Sequence, residues 1–425
     1  MKKILSLLLC TTLLTGCSST APELPPPASE TVSAAAPPSA APVSKKTDYI
    51  SRYTAVTEIV LSDNGMTVDG SSETDTVFTS NDIIYYENRD SYASGNPYGE
   101  GTDADKHTAE EAAAHTVVNI TAPGAYRISG KLSAGQIRID LGDDACDDPN
   151  AVVELILEDA AITCTVAPAV LFLNVYECDG DSSKDTAKPD VDTAAAGANL
   201  ILRGENTVSG SYVAKIYKDK KGEKKLWKQD AAIYSYMSMN VFGPGKLTVF
   251  AENEGLDTEL HLTVCGGDIA IYAQNDGINT NEDGVSVTTI LDGNLHILAG
   301  LGEEGDGIDS NGYLVIRGGT VVSAAHPASD AGVDSDMGTF IHGGTVIAFG
   351  VAENPIDPNS AQIALNFRFP QPTADTIKIV DENGASVFVF DLAADEHFSQ
   401  HPRRYTEAVI SCPDFRADQT YLPAS

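Results

Sequence analysis

The chain has 425 residues, which is room for one large domain or two to three ordinary ones. Its 61 Asp and Glu against 27 Lys and Arg give a formal charge of −34 at pH 7, a field that repels phosphate backbones, so no nucleic-acid partner is expected. The 36 Gly and scarce bases speak against long amphipathic helical bundles, and past the N-terminus no run of 18 apolar residues reads as a membrane helix.

Residues 1–17 read as a processing segment. Lys2 and Lys3 form a charged start, Ile4 to Leu14 an apolar stretch, and Leu14-Thr15-Gly16-Cys17 resembles the bacterial lipobox. Cys17 is then the expected lipidation site. Several acyl chains on one cysteine give stable anchoring where a single chain gives only marginal binding. The expected location is the cell membrane, facing the exterior or the periplasm. In residues 18–47, Pro, Ala and Ser fill 20 of 30 positions, so this stretch reads as an extended tether with too little apolar surface to fold.

From residue 48 short β-type runs begin. Residues 48–114 read as an N-terminal β segment carrying one short helix, Thr108 to Ala114, with Thr108 as cap and Glu111 at the capping-box position. Residues 115–350 are the main body, and from 230 onward they repeat. The blocks begin at Asp230, Asn253, Asn275, Gly305 and Asp330, six residues each. The third position is Gly or Ala, the fourth aliphatic, the sixth Ser or Thr. A second glycine follows each block, at Gly245, Gly267, Gly293, Gly319 and Gly344. A short period with glycine corners and only β-type runs fits one turn of a solenoid. The leucine-rich-repeat frame is absent, so the expected fold is all-β, a right-handed parallel β-helix. Ile233, Leu256, Ile278, Ile308 and Val333 would form an inward ladder, strand upon strand at about 4.8 Å. Residues 351–425 read as a C-terminal β cap, in which Phe367, Phe369, Phe388 and Phe390 alternate with other residues. Cys146, Cys164, Cys178, Cys265 and Cys412 make no C-x-x-C and read as free thiols.

Stacking gathers acids. Residues 229–350 hold 17 Asp and Glu against only Lys246 and Arg317. The second column of the block runs Ala231, Glu254, Asp276, Asp306, Ala331, and the fifth runs Tyr234, Asp257, Asn279, Asp309, Asp334. Both flank the inward aliphatic and are expected to point outward, with no base near. Carboxylates about 5 Å apart repel by roughly 3 kcal/mol at an effective dielectric near 20. They can fan into water, take up protons, or hold a hard divalent cation. Calcium, which takes six to eight oxygens, is the expected one.

These stretches resemble a bacterial family of secreted or lipid-anchored carbohydrate-binding proteins with a pectate-lyase-like β-helix. The residues that carry the resemblance are 115–140, 198–210, the repeated blocks, and the turns Gly318-Gly319-Thr320 and Gly343-Gly344-Thr345. The resemblance implies a calcium-stabilised protein that binds cellulose or acidic polysaccharide without cleaving it, as a monomer. It implies calcium ligands at Glu254, Asp257, Asp276, Asn279, Asp306, Asp309 and Asp334. Asn279 departs as a weaker ligand, and Ala231 and Ala331 interrupt the second column. Between Ala214 and Lys228 lie seven Lys and the only Trp, read as a projecting hairpin; a solvated hairpin is the simpler reading, and Trp227 and Tyr217 are its candidate glycan contacts. A calcium-dependent polysaccharide lyase is the alternative function, with Arg317 or Lys246 as base, and no catalytic residue is assigned. A structural or adhesive stalk is the third.

Overall fold

The computed structural model describes residues 49–87, 101–180, 183–217, 225–352 and 354–424. The processing segment with Cys17 and the tether at 18–47 lie outside the described residues, as do the side chains of Tyr217 and Trp227.

The described chain is all-β with almost no helix, and its sheets are large and mixed. The helix Ala109–Ala113 carries the reciprocal Thr108–Glu111 capping box expected for it. Each of the first four repeats gives one strand to each of three files, and the fifth gives a strand to the second and third files only. The block strands Ala231–Ser235, Glu254–Thr258, Ile278–Thr280 and Ile308–Ser310 pair in parallel, in that order. A second file runs through Met239–Phe242, His261–Val264, Val287–Ile290, Tyr313–Ile316 and Gly338–Ile341. A third runs through Lys246–Ala251, Asp268–Ala273, Asn294–Leu298, Thr320–Ala324 and Thr345–Phe349.

The register puts like on like. Ile233, Leu256, Ile278 and Ile308 are consecutive partners, and all are buried. Val241, Val264, Ile290, Ile316 and Ile341 make a ladder in the second file, and Leu247, Ile269, Leu295, Val321 and Val346 one in the third. Each such side chain contributes about 1.5–3 kcal/mol relative to exposure. This aliphatic core is what holds one repeat over the next. At the third block position a side chain would not fit: a Cβ on Gly277 would lie 2.1 Å from Ile297 Cγ2.

The corners follow the expected glycines with one correction. Gly267, Gly293, Gly319 and Gly344 have positive φ, but in the first repeat that role falls to Gly243 and not to Gly245. Residues 243–245 are Gly-Pro-Gly, and two glycines so close offer the turn two places to form. Among the described residues Cys146, Cys164, Cys178, Cys265 and Cys412 are free.

The tail departs from a simple end cap. Tyr405–Ser411 pairs antiparallel with Thr345–Phe349 and so terminates the third file with a strand of opposite direction. The remainder, with Ile377, Ile379, Phe398 and Phe415, also packs against Ala270, Tyr272, Leu298 and Val322 on the outer face of that file. Those outward positions are apolar, so burying them along the side of the sheet is favourable. Phe367 is buried in this cluster, while Phe369, Phe388 and Phe390 are half-buried against it.

Candidate functional site

The acid columns lie on or just before the block strands, the second column two residues ahead of the buried aliphatic ladder and the fifth one residue after it. Tyr234, Asp257, Asn279 and Asp309 are successive register partners, and Ala231 pairs with Glu254. The backbone N–H of Asp334 donates to the Ile308 carbonyl at 2.8 Å, which brings Asp334 next to Asp309.

The structure sorts the predicted acids into two triads. In the first, one oxygen each of Asp230, Glu254 and Asp257 lie within 4.8 Å of one another. In the second the same holds for Asp306, Asp309 and Asp334. Asp276 belongs to neither: its Oδ1 accepts the Asp306 backbone N–H at 2.7 Å, and Asp306 Oδ1 in turn accepts the Ala331 N–H at 2.6 Å. Asn279 sits between the triads, and its Nδ2 donates to Glu254 Oε1 at 3.4 Å.

The first triad corrects two expectations. Its acids do not fan outward, because Asp257 is 0 % exposed and Glu254 5 %. Nor is it without a base. The hairpin of strands Val213–Tyr217 and Lys225–Gln229 returns to the body at Lys228, whose ammonium lies 3.0 Å from Asp230 Oδ2 and donates to Asn281 Oδ1. Asn281 Nδ2 then donates to Asp257 Oδ1 at 2.6 Å. Burial alone would lower the Lys228 pKa, but the charges of Asp257, Asp230 and Glu254 more than reverse this, so the ammonium is held protonated. Burial raises the pKa of Glu254 and Asp257 against the pull of Lys228; the charges of Glu254 and Asp230 raise Asp257 further, and Asp230 raises Glu254 while hydrogen bonding to Asp257 and Asn279 lowers it. Glu254 Oε2 and Asp257 Oδ2 are buried without a hydrogen-bond partner.

The second triad is half-buried and differs in its counter-charge. Among the described residues no Lys or Arg forms an ion pair with Asp306, Asp309 or Asp334. Among the described residues the one side-chain donor to Asp334 is Asn354 Nδ2, at 2.6 Å. Burial, with the charges of neighbouring acids, pushes Asp306 up to about 7 and Asp309 up to about 6. An all-oxygen set of this kind suits a hard cation. Calcium–oxygen distances of about 2.3–2.6 Å place ligands on opposite sides of the ion up to about 5 Å apart, so the 4.8 Å spread of each triad fits.

Asp230 and Lys228 are the site residues that sequence reasoning missed. Asp230 opens the first block, a position taken by Asn or Gly in three of the others, so no column marks it. Lys228 belongs to an insertion with no counterpart in the repeats. The two bases considered for catalysis are engaged elsewhere, Arg317 with Asp190 at 3.2 Å and Lys246 with Asp268 at 3.7 Å.

Residues 114–362 match the profile of a family described as carbohydrate-binding domain-containing protein. A solved structure, the polysaccharide lyase-like protein from C. thermocellum as a gadolinium derivative, is similar over 69 % of this chain and 94 % of its own, at 22 % identity and a TM-score of 0.39. No curated protein matches the chain in sequence.

Proposed function

The chain belongs to the carbohydrate-binding domain-containing protein family, matched over more than half its length, and from that premise we propose that it holds cellulose or acidic polysaccharide on a parallel β-helix at the bacterial surface. The helix reading draws on the three parallel files, each receiving one strand from each of the first four repeats. Residues 1–17 and Cys17 supply the lipid anchor, residues 18–47 the tether, and the protein acts as a monomer.

Calcium is the proposed cofactor. Asp306, Asp309 and Asp334 hold it, with Asp276 orienting Asp306 through the backbone contact. Glu254, Asp257 and Asn279 offer a second position, weakened because Lys228 already brings one positive charge there. Bound calcium supplies the charge that lets an acidic protein tolerate a uronate carboxylate. The protein residues do the rest: they fix the ion on rigid strands and keep neighbouring carboxylates from collapsing on one another. The observation that carries the calcium reading is the second triad, three half-buried acids with no ion-paired base among the described residues.

The reading is non-catalytic. A lyase needs a neutral base beside the proton it removes. The lysine inside the acid cluster is instead kept charged by three carboxylates. Calorimetric titration with cello-oligosaccharide and oligogalacturonate, in calcium and in chelator, tests the proposal. Oligogalacturonate binding that disappears in chelator is expected; equal binding with and without calcium overturns the metal's role, and no binding of either glycan overturns the proposal. For the anchor, Cys17→Ser is expected to move the protein from the membrane to the soluble fraction.

A further inference from the structure

Outside the acid files, one place combines an exposed aromatic ring with clefts of ligand size. Phe250 and Tyr272 are register partners on neighbouring strands of the third file. Their rings stack at 5.2 Å between centroids and 13° between planes. Tyr272 is 6 % exposed and its hydroxyl lies 2.8 Å from His397 Nδ1 on the tail, so the lower ring is fixed. Phe250 lies on top at 46 % exposed, the only aromatic among the described large apolar residues left open to solvent. A phenylalanine ring held flat over a pinned partner gains little for folding and loses water contact only when something covers it.

Two clefts meet at this pair. One of about 280 Å³ is lined by Phe250, Tyr272, Asp268 and His397, and one of about 490 Å³ by Phe250, Tyr272, Glu252 and Gln274. Together they fall in the size range of small-ligand sites, about 300–1,000 Å³. The lining mixes an apolar platform with carboxylates and an amide. Carboxylates accept hydrogen bonds from hydroxyls and repel other carboxylates. A sugar ring has an apolar C–H face and a rim of hydroxyls, so it matches both features. A uronate shares both features, but its carboxylate would face Glu252, Asp268 and Glu396, and Lys246 at the edge of the smaller cleft already pairs with Asp268 at 3.7 Å.

We propose that the Phe250–Tyr272 ridge and its flanking clefts bind a neutral pyranose polymer, one ring stacked on Phe250 with its hydroxyls donating to Glu252 and Asp268. This rests on the carbohydrate reading above and adds a second, metal-independent surface to it. Neutral chain would lie on the third file while the acid triads sit on the block strands.

The test is titration of the full chain with cellohexaose and with oligogalacturonate plus calcium, for wild type, Phe250→Ala and Phe250→Trp. Cellohexaose is expected to bind wild type in chelator, about tenfold or more weaker to Phe250→Ala, and at least as tightly to Phe250→Trp, with oligogalacturonate unchanged in all three. Thermal unfolding within a degree or two of wild type is expected for both variants, since the ring is exposed. Cellohexaose binding that survives Phe250→Ala, or that is absent while oligogalacturonate binds, overturns this inference and leaves the proposed function standing. A Phe250-dependent dimer without glycan binding at the ridge also overturns it. Absence of both glycans defeats the proposed function instead.

Discussion

The two acid triads are built from the same repeat and differ in burial and in counter-charge: the first is buried around the ion-paired Lys228, and the second is half-buried with no ion-paired base among the described residues. Asp230, Glu254 and Asp257 share the ammonium of Lys228, delivered by an insertion that enters from outside the repeat. Among the described residues, the donors to Asp306 and Asp334 are a backbone N–H and an amide side chain. Stacking creates the same electrostatic problem in both places. One copy solves it with a covalently attached cation, and the other leaves it to protons or to a metal. On the proposed reading, charge compensation, more than residue spacing, separates a structural ion cluster from a metal site in this molecule.

The largest expected effect comes from erasing that difference. Lys228→Met leaves three crowded carboxylates with no base, and breaking a buried pair costs about 3–5 kcal/mol. Urea unfolding at pH 7.5 in chelator is expected to show a loss of that order, with calcium restoring most of it. A variant as stable as wild type in chelator would mean that the ammonium is not the compensating charge.

The opposite substitution sharpens the contrast. Asp309→Asn removes a ligand and a repulsion together. Calcium affinity is expected to fall about tenfold or more, while stability in chelator holds or rises by about 1 kcal/mol. Parallel calcium titration and thermal unfolding check both signs at once. The same change at Asp257 is expected to cost stability, because there the carboxylate serves Lys228 and Asn281.

Smaller effects follow from protons. Asp306 near 7 and Asp309 near 6 lie above the usual carboxylate range, so the folded metal-free protein binds protons that the unfolded chain has already lost. Their contribution to stability is fully present below about pH 4 and is lost as pH rises through 6 to 7. Metal-free protein is therefore expected to melt lower at pH 7.5 than at pH 5, and calcium to bind more tightly and displace protons across the same interval. A melting temperature that rises with pH in chelator would contradict the crowding of the second triad. The smallest effect is expected at Arg317→Ala, whose exposed ion pair with Asp190 is worth less than about 1 kcal/mol. Both triads should be unchanged, and no unsaturated uronide absorbance should appear from either protein.

Much of the frame was legible because the repeat states it plainly. The fourth block position is aliphatic in every block, and in the first four those residues become consecutive register partners, while Val333 is buried outside any strand. The fifth column was legible for the same reason, since residues flanking a ladder must stack when the ladder does. What escaped was whatever broke the period. Lys228 and Asp230 lie where an insertion meets the first block, and no spacing rule carries a hairpin back into an acid cluster. The burial of Glu254 and Asp257 escaped with them. The side packing of the tail was also hidden, because the outward residues Ala270, Tyr272, Leu298 and Val322 look like ordinary strand alternation until a partner surface is known. Phe250 escaped for the same reason, because nothing in the sequence marks a ridge between two clefts.

The most direct measurement is a calcium titration of wild-type protein beside the Asp306→Asn/Asp309→Asn/Asp334→Asn variant, each repeated with oligogalacturonate present. The expected result is that wild type binds calcium and then the uronate chain, while the folded variant loses the tighter calcium site and the uronate with it. Unchanged calcium and uronate binding by a folded variant would contradict the idea that the lysine-free triad is where metal and polysaccharide meet.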